Sequence, residues 1–319
     1  MRGVILDSDS FDRGDLDTAT LEACLDKWVR YPSTQPEQTL QRIKGSEVIV
    51  SNKVLIDAPA MASPELELIV IAATGTNNVD LMQAAQRGIT VCNVRDYASA
   101  AVSQHVFSLV LALSTHLSDY TTAVRQGRWQ KSGVFCLLDY PIRELAGQTL
   151  GIVGFGALGK RVAQIGTSFG MDVLVCARPG TESVPKGRVT LDDLLEHSDV
   201  ISLHCPLTDT THNLIGEAQL RQMKPDALLI NTARGGIVNE ADLATALRSG
   251  EIGGAGIDVL TCEPPHDNHP LLAPDIPNLV VSPHNAWGSV ESRQRLVDEI
   301  ASLIHDYQRG QPRNRCLPV

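Results

Sequence analysis

The chain has 319 residues, 43% of them hydrophobic and 20% charged, with a formal net charge of −10 at pH 7. That length holds one large domain or two medium ones around a sizeable core, while the negative charge argues against a nucleic-acid partner, which needs a basic face to neutralise phosphates. No run approaches the ~20 apolar residues of a bilayer span, so no membrane partner is expected, and the seven scattered cysteines without a CxxC pair fit a reducing cytoplasm, with no disulfide framework and no metal site.

The opening MRGVILDSDSF reads as a first strand and not a signal peptide, because no apolar stretch follows a basic flank. Further short Val/Ile/Leu runs follow at 47–51, 68–73 and 89–93. They are too short for buried helices and lack strict alternation, so both faces of their sheet are covered, as in parallel α/β sheets. A long apolar helix is expected over 98–117, then a polar stretch with little periodicity ending near 148. A second series of strands occupies 149–153, 173–176, 200–204, 228–232, 255–259 and 279–282, with helices between, including 217–223 and 240–248. The rhythm predicts an α/β fold with two doubly wound parallel-sheet domains. A last helix over 289–309 trails the final strand and is free to pack back onto the first block, which would make the first domain discontinuous.

The segment TLGIVGFGALGKRVA carries GxGxxG at Gly154, Gly156 and Gly159 between a strand and a helix, the context that a dinucleotide fingerprint requires. Gly154 suits the tight turn, Gly156 the close approach of a pyrophosphate, and Gly159 the packing of helix on strand. Ala157 and Leu158 belong to the same turn, where free N–H groups and the helix dipole favour an anion. The next strand ends in Ala177 and Arg178, with no acid until Glu182. Ala177 lacks the carboxylate that accepts from a ribose 2′-OH, and Arg178 suits a 2′-phosphate. NADP(H) is therefore favoured, with NAD(H) still open, since Arg178 stacked on adenine would admit either.

Three motifs fall at the ends of later strands, where open α/β sheets place their ligands: NTARGG with Arg234, GIDVLTCEPP with Asp258 and Glu263, and SPHNAWGS with His284. Hydride transfer to a 2-oxo acid needs a cation for the carboxylate, a proton donor at the carbonyl oxygen, and a group that keeps the donor protonated. Arg234 suits the first through its planar fork. His284 suits the second, since histidine titrates near neutral pH. Glu263 suits the third, because a carboxylate beside imidazole favours its protonated form and fixes its tautomer. Singly, each has a plainer reading as a surface ion pair, a turn residue or a loop residue; together after a dinucleotide motif they point to catalysis.

With these residues in place the chain resembles the D-2-hydroxyacid dehydrogenase family, in its glycerate dehydrogenase/hydroxypyruvate reductase branch. The resemblance rests on VSNKVLID (50–57), ATGTNNVDL (73–81), GITVCNV (88–94), LAGQTLGIVGFGALG (145–159), SLHCPLT (202–208), NTARGGIVNEADLATAL (231–247) and the stretches from IDVLTCEPP to SPHNAW. It implies Arg234, Glu263 and His284 as the catalytic trio. It implies that Asp258, Thr232 and Ala233 hold the nicotinamide carboxamide, that His204, Cys205 and Pro206 border the adenosine half, and that Val106 and Thr211 join the cofactor contacts. Substrate contacts are implied for Asn52, Lys53, Gly75 and Thr76; Trp287, immediately after the His284 loop, suits either a wall of the substrate pocket or packing at the domain interface. It further implies a flavodoxin-like substrate domain of residues 1–98 and 288–319, a dinucleotide-binding domain of 99–287, hinges near Ala98 and Gly288, and a homodimer built on 117–147. A regulatory domain of the phosphoglycerate type is not expected, because the chain ends soon after its last helix. Two other readings carry forward: a reductase of bulkier 2-oxo acids, and a dinucleotide-sensing interaction protein like the corepressors that share the fold.

Overall fold

The structure, a computed structural model, describes residues 1–178, 180–181 and 183–318; Glu182, the acid noted above, lies outside the described residues. The chain divides into two compact units, Met1–Ala98 with Trp287–Val319, and Ser99–Ala286.

The first unit holds β1 (Arg2–Ile5), α1 (Ala19–Ala23), β2 (Lys27–Arg30), α2 (Thr39–Ile43), β3 (Val48–Ser51), β4 (Leu68–Ile71), α3 (Leu81–Gln86) and β5 (Thr90–Asn93). Its five strands pair in parallel in the order β2-β1-β3-β4-β5. Side chains alternate between two apolar layers. Val48, Val50, Leu68 and Val70 face one cluster, and Ile49, Ile69, Ile71 and Val91 face the other. Because both layers are covered, the strands read as unbroken apolar runs. The exception is β2, which no such run announced: it is an edge strand flanked by Lys27 and Arg30, and its side chains are exposed or half-buried.

The second unit opens with α4 (Ser99–Ser114) and α5 (Leu117–Arg125). The single helix expected over 98–117 is thus two, bent by 59°, because His116 takes the left-handed conformation at φ +48° and ends the first run. Residues 126–148 contain no helix or strand. Then come β6 (Thr149–Val153), α6 (Ala157–Ser168), β7 (Asp172–Val175), α7 (Leu191–His197), β8 (Val200–Leu203), α8 (Glu217–Gln222), β9 (Leu228–Asn231), α9 (Glu240–Ser249), β10 (Gly254–Ile257) and β11 (Leu279–Val281). The six strands are parallel in the order β11-β10-β9-β8-β6-β7. Ile201, Leu203, Leu229 and Ile257 pack under α7 to α9, while Leu150, Ile152, Val200 and Ile230 pack under α4 and α6. Asn239 starts α9 by accepting the Ala241 and Asp242 N–H groups, and Gly250 closes it at φ +71°.

The last helix, α10 (Val290–Gln308), is capped by the Ser289 hydroxyl and buries Leu296, Val297, Ile300 and Ile304 against the first sheet. Trp287 belongs to this first unit, its ring edge-on to Tyr97 at 6.2 Å. Among the described residues no single helix is long and apolar enough to cross a membrane.

Candidate active site

The second sheet reverses its winding where β6 lies beside β8, and loops from the two strands diverge there. Such a switch point opens a crevice at the strands' carboxyl ends. Gly154 turns the chain at φ +94°, and a Cβ on it would stand 2.5 Å from the His204 carbonyl carbon. A Cβ on Gly159 would stand 2.2 Å from the Gly154 carbonyl oxygen. Both positions are therefore closed to any side chain. At Gly156 the same construction meets nothing within 4 Å, and this residue caps α6 without a side chain of its own. The first N–H groups of α6, from Ala157 through Gly159, thus front open space, a cradle that fits a pyrophosphate.

Beyond β7, Ala177 is buried and hydrogen-bonds Val189, while Arg178 is exposed. A second cation reaches the glycine turn: the Arg188 guanidinium lies 4.6 Å over the ring of Phe155, which stands between Gly154 and Gly156. Sequence reading missed Arg188, since nothing local ties it to the glycine turn. After β8, the His204 Nε2 meets the Ser202 hydroxyl at 2.9 Å, and its Nδ1 is buried without a partner. Burial pushes this imidazole down to about 4, so it is neutral at pH 7. Cys205 is buried against the Gly154 turn. Thr211 donates to the Pro206 carbonyl at 2.6 Å and accepts the Thr208 N–H at 2.7 Å, which folds the loop back.

Three adjacent strands, β9, β10 and β11, end in the loops that carry the expected trio. The Asn231 side chain shapes the first loop, donating to the Arg234 carbonyl at 2.9 Å and accepting the Ala233 N–H at 3.1 Å. Thr232 leaves its hydroxyl buried and unpartnered, a polar atom placed to meet a bound amide. Arg234 is half-buried, and its guanidinium donates to the Ala233 carbonyl at 2.6 Å. A Cβ on Gly235 would stand 2.1 Å from the Leu260 carbonyl, so this loop rests directly on the next.

In that next loop Glu263 works with both oxygens. Its Oε1 accepts the Leu260 N–H at 2.9 Å, and its Oε2 lies 2.6 Å from the His284 Nδ1. The tautomer follows from the partner: with Glu263 as a carboxylate, Nδ1–H donates to it. A second acid, Glu240 at the start of α9, pins the loop from behind. It accepts the Thr261 N–H and hydroxyl at 2.6 and 2.9 Å and meets the His269 Nε2 at 2.8 Å. His284 itself sits at φ +50°, a conformation that non-glycine residues adopt only when held.

Asp258 and Val106 offer no side-chain surface to a ligand here. Val106 is fully enclosed in the apolar layer under α4. The Asp258 side chain is also fully enclosed. Its oxygens are taken by the Ser282 hydroxyl at 2.6 Å and by the Asn285 and Ala286 N–H groups at 3.0 Å. Burial forces a carboxylate to find such donors, and through them Asp258 organises the His284 loop.

In the first unit, Asn52 and Lys53 follow β3, and both backbone N–H groups are held by the Asp7 carboxylate, at 2.9 and 2.7 Å. Gly75 and Thr76 lie beyond β4, next to Thr74, whose hydroxyl donates to the Val94 carbonyl. Among the described residues no group of three or more His, Cys, Asp or Glu side chains is arranged to hold a metal ion.

Residues 107–286 match the family model for the NAD-binding domain of D-isomer-specific 2-hydroxyacid dehydrogenases. Over 307 residues the chain is 46% identical to a glycerate dehydrogenase of Methylorubrum extorquens, covering 95% of this chain and 96% of the relative. It is 34% identical to a hydroxypyruvate reductase of Blautia hydrogenotrophica, covering 98% and 99%. Among solved structures it resembles an NADPH-dependent glyoxylate/hydroxypyruvate reductase of Sinorhizobium meliloti in complex with NADP and malonate. That likeness has a TM-score of 0.81 and 28% identity over 99% of this chain and 96% of that one.

Proposed function

This chain belongs to the D-isomer-specific 2-hydroxyacid dehydrogenase family of nicotinamide-dependent oxidoreductases, and from that premise we propose that it reduces a small 2-oxo acid, hydroxypyruvate or glyoxylate, to the 2-hydroxy acid. The observation that carries the reading is the Glu263–His284 contact at 2.6 Å, set on the strand-end loop beside Arg234. The bound reduced nicotinamide supplies the hydride. The Arg234 fork takes the substrate carboxylate in two parallel hydrogen bonds and fixes the plane of the adjoining carbonyl. His284 gives its Nε2 proton to the carbonyl oxygen as that oxygen gains charge, while Glu263 retains Nδ1–H and stabilises the cationic ring before transfer. In the oxidative direction neutral His284 takes the hydroxyl proton through the same nitrogen. On this reading Asn52, Lys53, Gly75 and Thr76 are anion-recognising groups of the first unit.

Preference for NADPH over NADH is part of the proposal. Ala177 brings no carboxylate to repel a 2′-phosphate, and Arg178 with Arg188 supplies positive charge near it. A homodimer in the cytoplasm is proposed as well. The non-repetitive stretch 126–148 carries exposed Phe135 and Leu138, 89% and 77% accessible, apolar surface of a kind that interfaces cover.

The test is to follow oxidation of NADPH and NADH separately with hydroxypyruvate, glyoxylate, pyruvate and a bulky 2-oxo acid. Rapid turnover of the first two, faster with NADPH, is the expected result. Turnover of only the bulky acid would replace the substrate assignment. Dinucleotide binding without any turnover would replace the enzyme with a sensor. Arg234→Lys keeps the charge but loses the fork, so both KM for the oxo acid and kcat should suffer; unchanged kinetics would remove the clamp.

A further inference from the structure

The left-handed conformation of His284 needs an explanation in its surroundings, because a non-glycine residue held there costs about 1 kcal/mol or more and persists only where neighbours over-determine it. Besides the Ser282 carbonyl at 3.0 Å and the Glu263 carboxylate at 2.6 Å, several of the neighbours are gathered on one residue, Asp258. The His284 N–H donates to the Asp258 carbonyl at 2.8 Å. The next two N–H groups, of Asn285 and Ala286, donate to the Asp258 carboxylate at 3.0 Å each. The residue two before, Ser282, donates its hydroxyl to the same carboxylate at 2.6 Å. Asp258 is thus the hub of the loop, and its orientation decides where His284 points.

What holds the hub comes from outside the loop. The His105 Nε2 on α4 lies 2.8 Å from the Ser282 hydroxyl oxygen and 3.6 Å from Asp258 Oδ1. Since the Ser282 hydroxyl spends its proton on Asp258, its oxygen is free to accept, and Nε2 must carry the hydrogen. The result is a chain of one polarity, from His105 Nε2–H to the Ser282 O–H to the Asp258 carboxylate. Helix α4 is brought close enough by Gly256 on β10, where a Cβ would stand 3.0 Å from the Leu109 Cβ. His105 lies one turn before Leu109, over the end of the same strand, where Asp258 begins. It is a half-buried imidazole on a helix that buries mainly apolar side chains, with Ser103 and Ser114 as the buried polar ones.

We propose that His105 is a positioning residue for the proposed reaction: through Ser282 it fixes the Asp258 carboxylate, and through Asp258 the left-handed turn that presents His284. The inference rests on the reading of His284 as proton donor, and it assigns His105 no contact with substrate or dinucleotide.

The experiment compares wild type, His105→Leu, His105→Gln, Ser282→Ala and the double variant His105→Leu/Ser282→Ala in steady-state reduction of hydroxypyruvate, with Tm and dinucleotide Kd measured alongside. His105→Leu should lower kcat on the order of tenfold or more, since misplacing a reacting group by about 1 Å has effects of that size. Dinucleotide Kd and Tm should stay near wild type. His105→Gln keeps a donor at the Nε2 position and should recover most of the rate. Ser282→Ala should match His105→Leu, and the double variant should lose no more than either, because both break one chain. Should His105→Leu fail to fold, Ser282→Ala and His105→Gln still decide the matter. Wild-type kcat in both His105→Leu and Ser282→Ala, or additive losses in the double variant, would overturn the proposal. A His284→Gln control that retains wild-type kcat would instead overturn the proton-donor reading beneath it.

Discussion

Each unit uses an aspartate just beyond a strand to collect the backbone N–H groups of a neighbouring loop, yet the two aspartates differ in what they hold. Asp7 gathers Asn52 and Lys53, a loop whose backbone is unstrained. Asp258 gathers Asn285 and Ala286, next to a His284 held at φ +50°. Burial acts as the largest influence on Asp7 and raises its pKa above the ordinary 3.8, against the downward pull of the Asn52 and Lys53 N–H groups. Each carboxyl also has a serine side chain as a hydrogen-bond partner, Ser51 at Asp7 and Ser282 at Asp258, and the Ser282 hydroxyl is backed in turn by His105 on α4. The collector that holds the relaxed loop takes its donors from β3 and the loop after it, whereas the one that holds the strained turn is braced from a helix as well.

The comparison breaks most visibly at the residue the second collector presents. His284→Gln should lower kcat about 10²- to 10⁴-fold, the usual worth of a positioned acid or base, while dinucleotide Kd stays within about twofold. Near-normal turnover would end the proton-donor assignment. Asp258→Asn comes next. Its amide nitrogen must face N–H groups that already donate, leaving buried donors unpaired at a cost of about 1–3 kcal/mol, so both Tm and kcat should drop. The matching change in the first unit, Asp7→Asn, should leave kcat nearly intact and raise KM for the oxo acid a few-fold, since the loop it holds carries Lys53. A kcat loss equal to that of Asp258→Asn would erase the distinction between the two.

The smallest effect concerns pH. A carboxyl whose pKa is raised on folding binds its proton more tightly in the native state, so wild-type stability gains on Asp7→Asn as pH falls from neutrality toward 3.8. The Tm difference between the two proteins should therefore widen in favour of wild type across that window. Asp15 has the opposite sign, lowered to about 2 by its hydrogen bonds to Arg293. Its contribution, present above 3.8, is lost as pH falls toward 2, so Asp15→Asn should narrow the gap with wild type over that lower range. A flat Tm difference for Asp7→Asn would mean that burial does not control its carboxyl.

Local chemistry was enough for much of this protein. Unbroken Val/Ile/Leu runs are what a strand needs when both its faces are covered, and these marked nearly all the strands of both sheets. The GxGxxG turn declared itself because sterics at Gly154 and Gly159 admit no other residue. Arg234, Glu263 and His284 stood out because their residue types at strand ends match one reaction. What tertiary structure alone decided were the relations between distant segments. The edge strand β2 has no apolar signature, since one side of it has no neighbour. The break at His116 depends on a single backbone angle that no periodicity records. Arg188 reaches Phe155 across 33 positions, and Asp258 is turned inward by donors 24 to 28 residues away. His105 lies 177 residues from Ser282. Side-chain type and short spacing are written in the chain, but a hydrogen bond between remote residues exists only once packing has brought donor and acceptor together.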